Sequence, residues 1–187
     1  KASKLAMQLL SQMKSLSRQT IYDLQSSLSA ELAEDYFGSA TTFVAAEIDQ
    51  ITRKAKILSV GDSRAYLIDA QGKWQQITQD HSILSELLSD FPDKKEEDFA
   101  TIYGGVSSCL VADYSEFQDK IFYQEIEIQQ GESLLLCSDG LTDGLSAEVR
   151  EKIWKQYDND KSRLTVYRKL IEKQRFYDDL SVIICAF

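Results

Sequence analysis

Leu5, Leu9, Leu10, Met13 and Leu16 recur at the three- and four-residue spacing of one helix face. The spacing predicts a helix over residues 1–16. Ile21, Leu24, Leu28 and Leu32 predict a second helix, with Gly38 closing the helical region. The period then changes. "TTFVAAEID", "AKILSV", "RAYLIDA" and "KWQQIT" are short and rich in β formers, and the turn-forming stretches "DQITRK", "GDS" and "DAQG" separate them. They predict an antiparallel meander of four strands. Residues 82–100 read as a helical, acidic insert, and residues 101–116, with Gly104-Gly105, fit no single period.

The second half repeats the same grammar. "DKIFYQEIEIQ" alternates as a strand does, Gln130-Gly131 marks a turn, and "SLLLCS" reads as a buried strand. Ser146 is placed to cap a helix with Glu148 in its first turn, and Ser162 to cap another that runs to about Gln174. "LSVIICAF" reads as a closing strand in the middle of a sheet. Helices, strands, a helical insert, strands, helices and a strand make an α+β chain with mainly antiparallel sheets.

Composition narrows the class. A chain of 187 residues suits one domain. Its longest apolar run, Val182 to Phe187, is far short of a membrane span, and no secretory segment opens it. A net charge of −9 argues against nucleic acid as a partner, because phosphate backbones attract Lys and Arg. It suits a cytoplasmic protein, or one that gathers carboxylates around cations. The run "DFPDKKEED" reads as a solvated loop or helix start. Cys109, Cys137 and Cys185 form no CxxC pair and read as free thiols of a reducing compartment. His81 is the single histidine, so no histidine metal cluster can form.

Acids fall where strands end. "SVGDSR" puts Asp62 in a tight turn, "LLLCSDGLTD" puts Asp139 and Asp143 at the exit of an apolar run, and "YDDLSV" puts Asp178 and Asp179 before the last strand. Any one of them alone is an ordinary turn former. Together they suggest carboxylates held at a rim, which would repel each other without a cation between them. Oxygen ligands of this kind suit Mg²⁺ or Mn²⁺, whereas the Cys and His spacings do not suit zinc. No phosphate-binding glycine loop, dinucleotide fingerprint or nucleophile elbow is present.

"GSATTFVAAEI", "ILSVGDSRAYLI", "ITQDHS", "SLLLCSDGLTDGLS" and "DDLSVIICAF" resemble, in content and order, the protein phosphatase 2C family of metal-dependent serine/threonine phosphatases. The likeness covers residues 38–187, and the bacterial branch is the nearer. It implies a single domain over residues 1–187, a sandwich of two antiparallel β-sheets flanked by helices on both faces. It also implies a signalling hydrolase that cleaves phosphoserine and phosphothreonine in phosphoprotein substrates. Two Mg²⁺ or Mn²⁺ ions, with a third at a weaker site, would activate water and neutralise charge. By position, Asp139 and Asp178 resemble the core metal ligands, and Asp62 and Asp143 residues of the weaker site. Arg64, Thr41 and His81 match motif positions that read as structural supports.

The chain also departs from the family pattern. An Arg, a Glu-Asp pair and a DGxGGH motif stand ahead of the first helix in the family, and this chain begins where that motif ends. The resemblance therefore implies a domain without its N-terminal strands. "GGVSSCLVADYSEF" replaces an Arg-Ala-Leu-Gly-like stretch, and Asp179 stands where Asn is usual. Beside an active phosphatase, this leaves open a catalytically inactive phosphatase 2C-like module used for binding or regulation.

Overall fold

The structure, a computed structural model, describes residues 1–99, 105–117, 120–175 and 178–187. Its first helix is shorter than its apolar stripe. Helix α1 spans Ala2–Leu10 and α2 spans Arg18–Leu32. Residues 11–17 leave the helical path because a carboxylate claims their backbone. Glu47 accepts the Leu16 N–H at 2.6 Å and the Ser15 hydroxyl at 2.8 Å, and Lys56 Nζ lies 3.1 Å from its other oxygen. Met13 and Leu16 still reach the core from this loop. Helix α2 starts in a reciprocal cap between Ser17 and Thr20 and buries Ile21, Leu24 and Leu28.

The strands are β1 (Ala40–Thr41), β2 (Phe43–Asp49), β3 (Lys54–Val60), β4 (Arg64–Ile68), β5 (Trp74–Gln76), β6 (Leu110–Val111), β7 (Phe122–Glu127), β8 (Ser133–Cys137) and β9 (Val182–Ala186). The remaining helices are α3 (Ile83–Asp90), α4 (Asp139–Gly144), α5 (Ala147–Gln156) and α6 (Asp160–Ile171), with a 3₁₀ turn over Glu96–Phe99.

Sheet membership corrects the expected meander. The sheets have the orders β1-β6, β2-β3-β7 and β5-β4-β8-β9, so the four early strands divide between two sheets. A simple meander with one wet face would alternate in burial. Here β3 and β4 are buried along most of their lengths. The last strand is corrected as well. Among the described residues β9 pairs only with β8, at the edge of its sheet, and Ile183 is 61% exposed. Its apolar run therefore does not mark a strand covered on both faces. Helix α6 starts earlier than expected, because Asn159 rather than Ser162 is its cap, accepting the Ser162 N–H at 2.9 Å. Ser146 caps α5 as expected. Gly104 and Asp119 lie outside the described residues.

The chain divides into two compact units. The first comprises Lys1–Glu47, Lys56–Asp62 and Gln79–Gln124. Its core joins Ile21, Leu24 and Leu28 of α2 to Phe43, Leu58, Val60 and Leu110. Inside this unit Gln25 is 2% exposed and clamps β6, its amide donating to the Val111 carbonyl at 2.7 Å and accepting the Val111 N–H at 3.0 Å.

The second unit comprises Ile48–Ala55, Ser63–Thr78 and Glu125–Phe187. Tyr66, Ile68, Leu135 and Cys137 of its four-stranded sheet pack against Leu141, Ile153, Trp154, Tyr167 and Ile171 of α4, α5 and α6. Each fully buried Leu or Ile contributes roughly 1.5–3 kcal/mol. Cys109, Cys137 and Cys185 form no disulfide among the described residues. Among the described residues no helix is long and apolar enough to cross a membrane.

Candidate metal centre

Strand β8 carries Asp139 out of the second unit's core. Its neighbours β4 and β9 pair antiparallel on either side, with Arg64 and Val182 both opposite Cys137. Ser133, Leu134, Leu135 and Cys137 are buried, which fixes the strand's position and orientation. Beyond Cys137 the chain turns directly into α4, with Ser138 as cap and Asp139 in the first turn. Asp139 therefore begins a short helix rather than sitting in a free turn. Asp143 follows one helical turn later and is exposed, on the same face as Asp139.

The 178–181 segment is laced to this exit. The Ser138 N–H donates to the Ser181 carbonyl at 3.0 Å. The Ser138 hydroxyl donates to the Asp179 carbonyl at 3.0 Å and accepts the Ser181 N–H at 3.0 Å. Gly140 completes the fit. A Cβ built there would stand 2.5 Å from the Asp179 carbonyl oxygen and 3.2 Å from that of Asp178. Only a residue without a side chain lets the two segments meet so closely.

The carboxylates differ in what they already bind. Asp178 Oδ1 accepts the Asp179 N–H at 2.7 Å, which fixes one oxygen and leaves the second open. Asp139 is half-buried, and the contact recorded for it runs through its carbonyl, which accepts the Thr142 hydroxyl at 3.1 Å. Neither carboxylate is paired with a Lys or Arg among the described residues. Open carboxylate oxygens suit a hard divalent cation in kind. In number they fall short of a full shell, because among the described residues no three His, Cys, Asp or Glu side chains form a chelating group.

Asp62 belongs to the first unit and is half-buried at the end of β3. Its turn is built by Gly61 at φ 100°, whose missing Cβ would stand 2.5 Å from Thr42 Cγ2. His81 supports the same turn. Its Nδ1 accepts the Gly61 N–H at 3.2 Å, and its own N–H donates to the Gly61 carbonyl at 2.9 Å. His81 is buried, with 6% exposure, and borders a cavity of about 360 Å³ shared with Arg18, Glu86 and Lys120. Thr41 lies in β1, opposite Leu110. Sequence reading passed over Ser138 and Gly140. The signal was the Ser-Asp-Gly order itself, which pairs a hydroxyl able to bond backbone with a residue that permits close approach.

The fold has known counterparts. A family model described as protein phosphatase 2C matches residues 2–163. The chain belongs to the protein phosphatase 2C family. The serine/threonine phosphatase stp of Listeria monocytogenes is 35% identical over 140 residues, which are 74% of this chain and 54% of the relative. The chain spans about half the length of the curated relatives it matches first, at 49% and 54% of each. Among solved structures, the Mycobacterium tuberculosis serine/threonine phosphatase PstP/Ppp superposes with a TM-score of 0.81 at 22% identity, covering 98% of this chain and 80% of that one. The catalytic domain of the serine/threonine protein phosphatase PstP, solved with 2 manganese ions, gives 0.76 at 22% identity, covering 98% and 79%. These likenesses establish the phosphatase 2C fold, an α+β architecture with antiparallel sheets.

Proposed function

We propose that this protein is a metal-dependent serine/threonine protein phosphatase of the cytoplasm, with phosphoproteins as substrates. Asp139 and Asp178 would hold Mg²⁺ or Mn²⁺, and Asp143, one helical turn beyond Asp139, would serve a weaker site. The observation that carries this reading is the seam between Ser138-Asp139-Gly140 and Asp178-Asp179, which keeps two aspartates at one end of one sheet. A divalent cation bound there would supply a nucleophilic water at neutral pH and offset phosphoryl charge.

The chain's own residues provide the geometry. The buried β8 strand and α4 limit the travel of Asp139. The Asp179 N–H holds one Asp178 oxygen, so the carboxylate presents its other oxygen in one orientation. Fixed ligands of this kind need no reorganisation as the phosphoryl group is transferred.

The test is hydrolysis of a phosphothreonine peptide by the protein expressed from its complete reading frame, across a Mn²⁺ titration. Mn²⁺-dependent turnover is expected, and Asp139→Ala or Asp178→Ala should abolish it while leaving the circular dichroism spectrum intact. Inactivity at every Mn²⁺ level would leave the fold serving binding alone.

A further inference from the structure

The shortest ladder of the first unit leads into two exposed aromatic rings. In the β1–β6 pair Ala40 faces Val111 and Thr41 faces Leu110. Hydrogen bonds carry the ladder past the strands, from the Ala112 N–H to the Ser39 carbonyl at 3.0 Å and from the Gly38 N–H to the Ala112 carbonyl at 2.8 Å. Gly38 and Ser39 thus share Ala112 as their partner, and just beyond them the Phe37 and Tyr114 side chains meet. Their ring centroids lie 6.3 Å apart. Phe37 is 69% exposed, Tyr114 65% and the adjoining Tyr36 43%. Single exposed apolar residues are ordinary, but a contiguous aromatic group marks a surface that contacts something.

The backbone is strained to hold the rings there. Tyr114 has φ 62°, a left-handed conformation that a bulky side chain seldom adopts. Asp113 braces the turn by accepting both the N–H and the hydroxyl of Ser115. Nearby, Gly38 takes φ 76°, which glycine adopts without strain. Strain maintained around solvent-facing rings brings no packing benefit and points to use.

Charge indicates what the rings meet. Glu34, Asp35 and Glu116 are exposed within three residues of them, and Asp113 adjoins Tyr114. A cation already sits on this group, with Lys1 Nζ 4.7 Å above the Tyr36 ring centroid. Aromatic faces edged by carboxylates complement arginine and lysine side chains, which stack on the rings and pair with the acids.

We infer that the Phe37–Tyr114 face docks a basic segment of a partner protein, an arginine or lysine side chain lying over the rings and its neighbours against Glu34, Asp35 and Glu116. The surface acts without turnover, so it stands apart from the phosphatase reading.

A fluorescein-labelled peptide of alternating arginine and glycine, and its glutamate counterpart, test the inference by fluorescence anisotropy. The arginine peptide should bind saturably and the glutamate peptide should not. The double variant Phe37→Leu, Tyr114→Asn removes both rings, keeps the net charge and suits the left-handed turn. It should weaken binding about tenfold. Ile51→Ala, at an exposed side chain of the second unit, should leave binding unchanged. Equal binding by wild type and double variant would reduce the effect to general attraction by an acidic chain and overturn the inference. So would a lack of saturable binding by the wild type. Sedimentation showing a wild-type dimer that the double variant cannot form would assign the face to a second copy instead.

Discussion

The Ser138 hydroxyl joins Asp179 to the exit of the buried strand β8, donating to its carbonyl at 3.0 Å while accepting the Ser181 N–H at the same distance. One small side chain thus fixes the height of the 178–181 segment against Asp139. Ser138→Ala removes both bonds. A loss of about 1 kcal/mol in urea unfolding is expected, since the seam is partly wet. The Mn²⁺ concentration for half-maximal turnover should rise. A Mn²⁺ response identical to wild type would mean that Ser138 does not position the carboxylates.

Gly140→Ala is expected to damage activity more than stability. Its Cβ would sit 2.5 Å from the Asp179 carbonyl, and the exposed 178–179 backbone can move away. Displacing an aligned group by about 1 Å costs on the order of 10²-fold in rate. Gly131→Ala is the control. Gly131 has φ 86°, and a Cβ there would meet only Ala70, at 3.6 Å. That variant should lose about 1 kcal/mol to backbone strain and keep its rate. Thermal unfolding and phosphopeptide kcat/KM, measured together, separate the two effects.

Glu47 makes the first unit sensitive to acid. The Leu16 N–H and then the Ser15 hydroxyl hold its carboxyl below the ordinary glutamate range, with Lys56 adding to the effect and partial burial opposing it. A depressed carboxylate stabilises the fold above its unfolded-state pKa, and that stability is lost as pH falls through the folded-state value. Glu47→Gln should therefore be less stable than wild type near neutral pH. The difference should close under acid conditions below the normal glutamate range. Urea midpoints across a pH series read it directly. A gap that stays constant with pH would assign the loss to shape rather than charge.

Arg150 is a buried cation without a counter-ion among the described residues. It is 7% exposed, its Nε and Nη1 have no hydrogen-bond partner, and its guanidinium lies 5.2 Å from the Tyr66 ring and 5.3 Å from that of Trp74. The rings return part of the desolvation cost. Arg150→Met keeps the apolar stem and removes the charge, so stability should stay level or rise by about 1 kcal/mol. Arg150→Ala leaves a void between the sheet and α5 and should cost roughly 2–4 kcal/mol. A Met variant as unstable as the Ala variant would show that the guanidinium is held by more than its packing.

Much of this organisation was legible because its causes are local. The Leu24–Leu28 stripe and the serine cap at Ser146 each express a period or a cap that one segment settles alone. What escaped depends on distant partners. Nothing within residues 11–17 announces that Glu47 will take the Leu16 N–H. Apolar continuity in Val182–Ala186 cannot tell an edge strand from a central one, because both can be written with isoleucine and valine. At the candidate centre the acids stood out by type, whereas Ser138 and Gly140 act through backbone contacts that spacing does not encode.

The Gln25 clamp has a consequence for how the chain assembles. β1 and β6 are two residues each and lie far apart in sequence, so their ladder alone could slide. Gln25 offers one amide, in the interior, that grips Val111 from both ends, its nitrogen also donating to the Ser115 carbonyl at a longer 3.4 Å. A slip by one position would turn the strand's faces over and leave that amide stranded away from water. Helix α2 thereby checks the strand for correct alignment, and the Phe37 and Tyr114 rings meet only in chains that pass.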